Sequence, residues 1–74
     1  MTDIEKALDG IRPDIDKALS TKGYYSLSTM DNWAYGWNQD LHQAMLRLHR
    51  NPPPEWVISV EVPFGVHRWT IQTT

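Results

Sequence analysis

The sequence contains no cysteine, so neither a disulfide nor a cysteine-based zinc site can stabilise the fold. Secreted domains of this size usually depend on disulfides, and the acidic first residues of this chain do not resemble a signal peptide. No apolar run approaches the roughly 18 residues that a membrane-spanning helix needs. These absences predict a cytoplasmic protein without a membrane segment.

The chain also lacks a large excess of charge of either sign. Seven lysines and arginines stand against nine aspartates and glutamates, which gives a net charge of −2. A nucleic-acid-binding domain usually has a basic face, and this balance does not predict one. Outside the first predicted helix, the candidate phosphate contacts are Arg47, Arg50 and Arg68. Weak binding of nucleic acid through these arginines and exposed aromatic rings is therefore kept as an alternative function.

The residue patterns of common active sites are missing as well. No serine lies in a G-x-S-x-G motif, and four glycines form no phosphate-binding loop. His42 and His49 are seven residues apart, about 10.5 Å along a helix, which is too far for both to bind one metal ion. His67 stands alone beside a predicted turn. We therefore expect no enzyme activity and no cofactor, and we expect the histidines to face solvent. A small metal-binding protein or enzyme is kept as a second alternative function.

Large apolar side chains are what the chain has instead. Its 74 residues include four tryptophans, three tyrosines and one phenylalanine, and 41% are hydrophobic. Each buried aromatic side chain removes roughly 150–250 Å² from water, which suits a small domain without cross-links. This composition predicts one folded domain over residues 1–74.

The first segment has the apolar period of a helix from Asp3 to about Thr21. Thr2 or Asp3 can cap its start, and Gly23 is a suitable stop. Pro13 interrupts the pattern, so we expect one kinked helix, with two short helices as the alternative. The apolar residues recur at steps of three or four: Ile4, Leu8, Ile11, Ile15 and Leu19.

A second helix is predicted from about Thr29 to His49, ending before Pro52-Pro53-Pro54. Its apolar residues share one arc of about 120°. Residues 24–27 form a connector between the helices or a third short strand, because their aromatic character also favours a strand. The arc consists of Met30, Trp33, Ala34, Trp37, Leu41, Ala44, Met45 and Leu48.

The last third of the chain alternates between apolar and polar residues, as in a β-hairpin. If Phe64-Gly65 is a two-residue loop, Val60 pairs with Trp69 on one face and Glu61 pairs with Arg68 on the other. Asn-Gly would suit such a loop better, so a three-residue loop with a bulge at Gly65 is the alternative.

These elements predict an α+β domain of order α-α-β-β, in which two helices pack on one face of a C-terminal antiparallel hairpin. A third strand at 24–27 is an optional addition. The predicted core comprises Leu8, Ile15, Trp37, Leu41, Leu48, Ile58, Val60 and Trp69.

A second stripe on the second predicted helix is the best candidate for a binding surface. Tyr35, Gln39, His42, Leu46 and His49 recur at steps of four and three, opposite the core arc. Tyr35 and Leu46 would be its anchors, because aromatic and aliphatic side chains dominate interface energies. The alternative is that the stripe packs beneath the 24–27 connector or is ordinary surface.

The function predicted from the sequence is a small non-catalytic protein-binding module. An inhibitor or antagonist of a larger complex fits its size and acidity, and phage anti-defence, immunity and antitoxin roles fit by analogy alone. A protein partner is expected, and a homodimer is left open.

Overall fold

Two helices and three strands follow one another in the order helix, strand, helix, strand, strand. The structure is a computed structural model that describes residues 2–31 and 36–74, without the side chains of 36–38. The elements are α1 (Asp3–Thr21), β1 (Tyr24–Thr29), α2 (Gly36–Arg50), β2 (Trp56–Glu61) and β3 (His67–Thr73).

Helix α1 is one continuous helix with the predicted bounds, and Pro13 lies inside it. The Thr2 side chain caps its start by accepting a hydrogen bond from the Glu5 amide at 3.2 Å. At its end the amides of Lys22 and Gly23 both donate to the Ala18 carbonyl. Gly23 adopts a φ of 84°, the left-handed conformation that glycine favours after a helix.

The predicted order α-α-β-β is wrong, because strand β1 lies between the two helices. Residues 24–29 form this strand, and Tyr25, Leu27 and Thr29 point inward while their neighbours point outward. The optional third strand at 24–27 is thereby confirmed, and it extends to Thr29. The helix predicted from about Thr29 is wrong at its start, because Thr29 belongs to β1 and α2 has the bounds Gly36–Arg50. Trp33, Ala34 and Tyr35 lie outside the described residues.

The sheet has the strand order β1-β3-β2, and both neighbouring pairs are antiparallel. The outer strands β1 and β2 therefore run in the same direction, and α2 is part of the long connection that parallel strands require. Strand β3 lies between them and pairs with both. The predicted pairs Val60–Trp69 and Glu61–Arg68 are confirmed.

A two-residue turn joins β2 to β3, at the position that the register predicted. Phe64 and Gly65 have φ values of 55° and 80°, and the Val66 amide donates to the Pro63 carbonyl at 3.1 Å. Positive φ at both central residues is the hallmark of a type I′ hairpin turn, whose twist matches that of the strands.

The core lies between the inner face of the sheet and the two helices. Of the predicted core, Ile15, Leu41 and Trp69 are buried, while Leu8, Leu48, Ile58 and Val60 are partly buried against it. The side chain of Trp37 lies outside the described part of the structure. The described buried hydrophobic residues that the predicted core omitted are Ala7, Ile11, Ala44, Met45, Trp56 and Ile71.

Candidate functional site

The stripe predicted on the second helix is not exposed along its length. The side chain of His42 is only 3% exposed, and Leu46 is half-buried against the core. Gln39 is half-buried and donates to the Asp31 carboxylate at 3.5 Å. His49 is exposed, and Tyr35 lies outside the described residues. The predicted exposure fails at His42 because β1, which the sequence offered only as an optional short strand at 24–27, packs against this side of α2.

A hydrogen-bonded chain joins β3, β1 and α2 in the interior. The indole Nε1 of Trp69 donates to Thr29 Oγ1 at 2.7 Å. Thr29 Oγ1 lies 2.8 Å from Nδ1 of His42. An indole can only donate, so the threonine accepts from Trp69 and has its own proton left to give. In the Nε2–H tautomer of neutral His42, Nδ1 accepts that proton; the donor and acceptor roles of this pair depend on the tautomer.

His67 completes this cluster from the start of β3. Its ring lies edge-on to His42 with centroids 4.5 Å apart, and it stacks on Trp69 at 5.6 Å. The Nδ1 atom of His67 is buried and has no hydrogen-bond partner among the described residues. Burial lowers the pKa of His42, and the nearby His67 lowers it further, while Asp31 acts in the opposite direction.

The expectation of three solvent-facing histidines is therefore wrong for His42, and His67 is half-buried with its Nδ1 atom covered. His49 is exposed, with its ring 5.7 Å from that of Trp69. Over the described ranges, no three histidines, aspartates or glutamates lie close enough to hold a metal ion. The histidine cluster is thus an interior polar cluster joined by one hydrogen-bonded chain and ring contacts.

Among the side chains that the structure describes, the most exposed apolar feature is the hairpin tip, defined here as Val62–Val66. Phe64 is 103% exposed, so its ring has no more cover than in an isolated peptide, and Val62 is 52% exposed. No charged residue occurs in these five positions. The tip therefore presents a bare aromatic side chain on a tight, hydrogen-bonded turn. Sequence reasoning identified the turn, but it could not show that nothing covers Phe64.

The outer face of the sheet is largely polar, and the buried side chains of the two described helices pack with those of the inner face instead. A depression of about 200 Å³ on this face is lined by Arg68, Glu61 and the hydroxyl-bearing residues Ser26, Ser28, Ser59 and Thr70. Arg47 instead lines a groove between α1 and α2, together with Ile4 and Leu48. Two of the three arginines considered for nucleic-acid binding, Arg47 and Arg68, thus line different surfaces.

Within the part of the chain that the structure describes, no helix is long and apolar enough to cross a membrane. Comparison of the chain with protein-family models, curated proteins and solved structures gave no match. Any function must therefore be inferred from the chain's own geometry.

Proposed function

We propose that this protein is a small non-catalytic protein-binding module that contacts its partner through the hairpin tip. The observation that carries the proposal is Phe64, a fully exposed aromatic residue in the left-handed conformation, with φ 55° and ψ 34°. The tip replaces the stripe on α2 as the favoured surface, because the described members of that stripe are largely engaged in the fold.

Phe64 does nothing for the stability of the isolated chain. A non-glycine residue in the left-handed region costs about 1–2 kcal/mol, and asparagine or glycine would suit this turn position better. Full exposure means that the ring gains no hydrophobic stabilisation in return. Phe64 thus has a backbone conformation that costs free energy and a ring that gains none by burial. Such a residue is best explained by an interaction outside the chain.

The chemistry of the tip favours an apolar pocket on a protein. Aromatic side chains that fill such pockets contribute a large share of binding energy in protein interfaces. Val62 and Val66 flank the ring and can cover the rim of the pocket. A nucleic-acid partner is disfavoured, since the chain carries a net charge of −2 and Arg47 and Arg68 lie on separate surfaces.

An inhibitor or antagonist of a larger complex remains the form of this function that we favour, and we place its action in the cytoplasm. A projecting tip on a small domain can fill a pocket that a larger protein uses for another ligand. The cysteine-free composition supports the location.

The test compares three affinity baits: the wild type, Phe64→Asn and Val57→Thr. Val57 is 50% exposed on β2, so its threonine variant removes exposed apolar surface away from the tip and serves as the matched control. We expect Phe64→Asn to keep or raise the melting temperature, because asparagine tolerates positive φ. It should weaken capture of the partner at least tenfold, which corresponds to about 1.4 kcal/mol.

The source-cell lysate is probed with and without nuclease. A protein that is retained by the wild type and Val57→Thr, but lost from Phe64→Asn, supports the proposal. Equal capture by all three baits contradicts it, and capture that disappears with nuclease favours nucleic acid instead.

A further inference from the structure

The His42–His67 pair is a second unusual feature, and the proposed function does not use it. Two imidazoles lie 4.5 Å apart at the end of the sheet that carries the hairpin tip. We infer that this pair is an acid-sensitive latch, in which proton uptake loosens the hold of α2 on the adjoining ends of β1 and β3. The latch is a property of the fold and stands independently of what the tip binds.

With neutral His42 as the Nε2–H tautomer, the hydrogen-bonded chain through Thr29 depends on His42 staying neutral. While Nδ1 is unprotonated it accepts the Thr29 hydroxyl proton, and Thr29 in turn accepts from Trp69. A proton on Nδ1 turns this acceptor into a donor, so the threonine hydroxyl proton loses its acceptor in a buried site. A buried polar group without a hydrogen-bond partner is unfavourable, because it has given up its hydrogen bonds to water.

The surroundings offer little compensation for a positive charge. On β3, His67 faces His42, and its Nδ1 atom is buried and has no hydrogen-bond partner among the described residues. On β1, the neutral Thr29 faces His42. After β1, Asp31 favours a charged His42, but it is exposed and its effect is the smallest.

The other elements add no nearby acid that the structure describes. On α2 itself the neighbours are Gln39, which bonds Asp31, and His49, which lies against Trp69. On α1, the carboxylate of Asp14 acts on Tyr25. Arg68 lines the outer face of the sheet, on the side away from the cluster.

The direction of the pH effect follows from proton linkage. Burial and His67 lower the pKa of His42 in the folded protein relative to the unfolded chain. Below about pH 6.5, the ordinary pKa of histidine, the unfolded chain therefore binds more protons than the folded one. The contribution of neutral His42 to the free energy of unfolding is present above about pH 6.5 and is lost as the pH falls below that value.

The experiment measures urea unfolding at pH 7.5 and pH 5.5 for the wild type, His42→Asn and His49→Gln. Asparagine keeps a hydrogen-bonding atom on Cγ, where His42 has Nδ1, but it does not titrate. His49→Gln removes the exposed histidine and is the matched control. In the wild type and His49→Gln, we expect acidification to lower the folded-to-unfolded ratio by at least about fivefold, which corresponds to roughly 1 kcal/mol of unfolding free energy. In His42→Asn the ratio should fall clearly less.

An unchanged wild-type stability between the two pH values would overturn the inference, as would an equal acid loss in His42→Asn. If His42→Asn does not fold, NMR titration of the wild type decides. His42 should become charged at a lower pH than an ordinary histidine, whose pKa is about 6.5, and the Trp69 indole proton should shift along with His42. A His42 midpoint at or above about pH 6.5, or a Trp69 signal that does not change during the titration, would refute the latch.

Discussion

At the residue scale, Thr29 shows how this small domain satisfies polar atoms in its interior. Its side chain is 2% exposed and links Trp69 on β3 to His42 on α2. Buried tryptophans usually need a partner for their indole N–H, and here a hydroxyl on the neighbouring edge strand supplies it. The sequence suggested only a helix start at this threonine, because its partners are 13 and 40 residues away.

We expect Thr29→Val to destabilise the protein by about 1–3 kcal/mol, because it leaves the Trp69 N–H and His42 Nδ1 buried without this partner. Urea unfolding at pH 7.5 measures the change. Thr29→Ser is the control: it keeps the hydroxyl and loses one methyl group, about 0.8 kcal/mol, and its Trp69 indole signal should stay near the wild-type position. A Thr29→Val protein as stable as the wild type would show that the chain of hydrogen bonds adds nothing.

At the scale of elements, α1 and the β2–β3 pair were predictable because their signals are local. The helix has a side-chain cap at Thr2, an apolar period and a glycine after its end. The register followed from side-chain alternation about the two-residue turn. Strand β1 has a weaker signal, limited to the strand-favouring residues at 24–27, since three of its six residues are serine or threonine and its pairing partner is the distant β3.

The two glycines of the α1 region should respond oppositely to alanine. Gly10 lies inside the helix, and an added Cβ meets nothing within 4 Å, so Gly10→Ala should stabilise the protein by about 0.5–1 kcal/mol. A Cβ at Gly23 also meets nothing, but its φ of +84° makes Gly23→Ala destabilising by about 1 kcal/mol or more. Thermal melts of both variants test this, and shifts of the same sign would contradict the assigned helix end.

At the scale of the whole molecule, one core supports every element. Buried side chains from both helices and from β2 and β3 meet in a single cluster, with Leu27 and Tyr25 of β1 packed against it. A domain of 74 residues buries only about 60% of its unfolded surface, so its net stability is small. Damage at the centre of this cluster should therefore affect the entire fold.

Leu41→Ala should cost about 2–5 kcal/mol, because Leu41 is 3% exposed and its removal leaves a cavity between α2 and its neighbours. Leu48→Ala, at a half-buried position on the same helix, should cost clearly less. Circular dichroism melts compare the two. An unchanged melting temperature in Leu41→Ala would mean that α2 does not pack as described.

The sequence alone indicated the bounds of α1, the two-residue loop at Phe64-Gly65 and the β2–β3 register, because each depends on residues close along the chain. Tertiary structure decided the rest: β1 became an edge strand beside β3, and His42 was thereby buried instead of exposed. It also left Phe64 uncovered, although apolar residues surround it in the sequence. Periodicity shows which residues share a face, whereas burial depends on which distant element comes to cover that face.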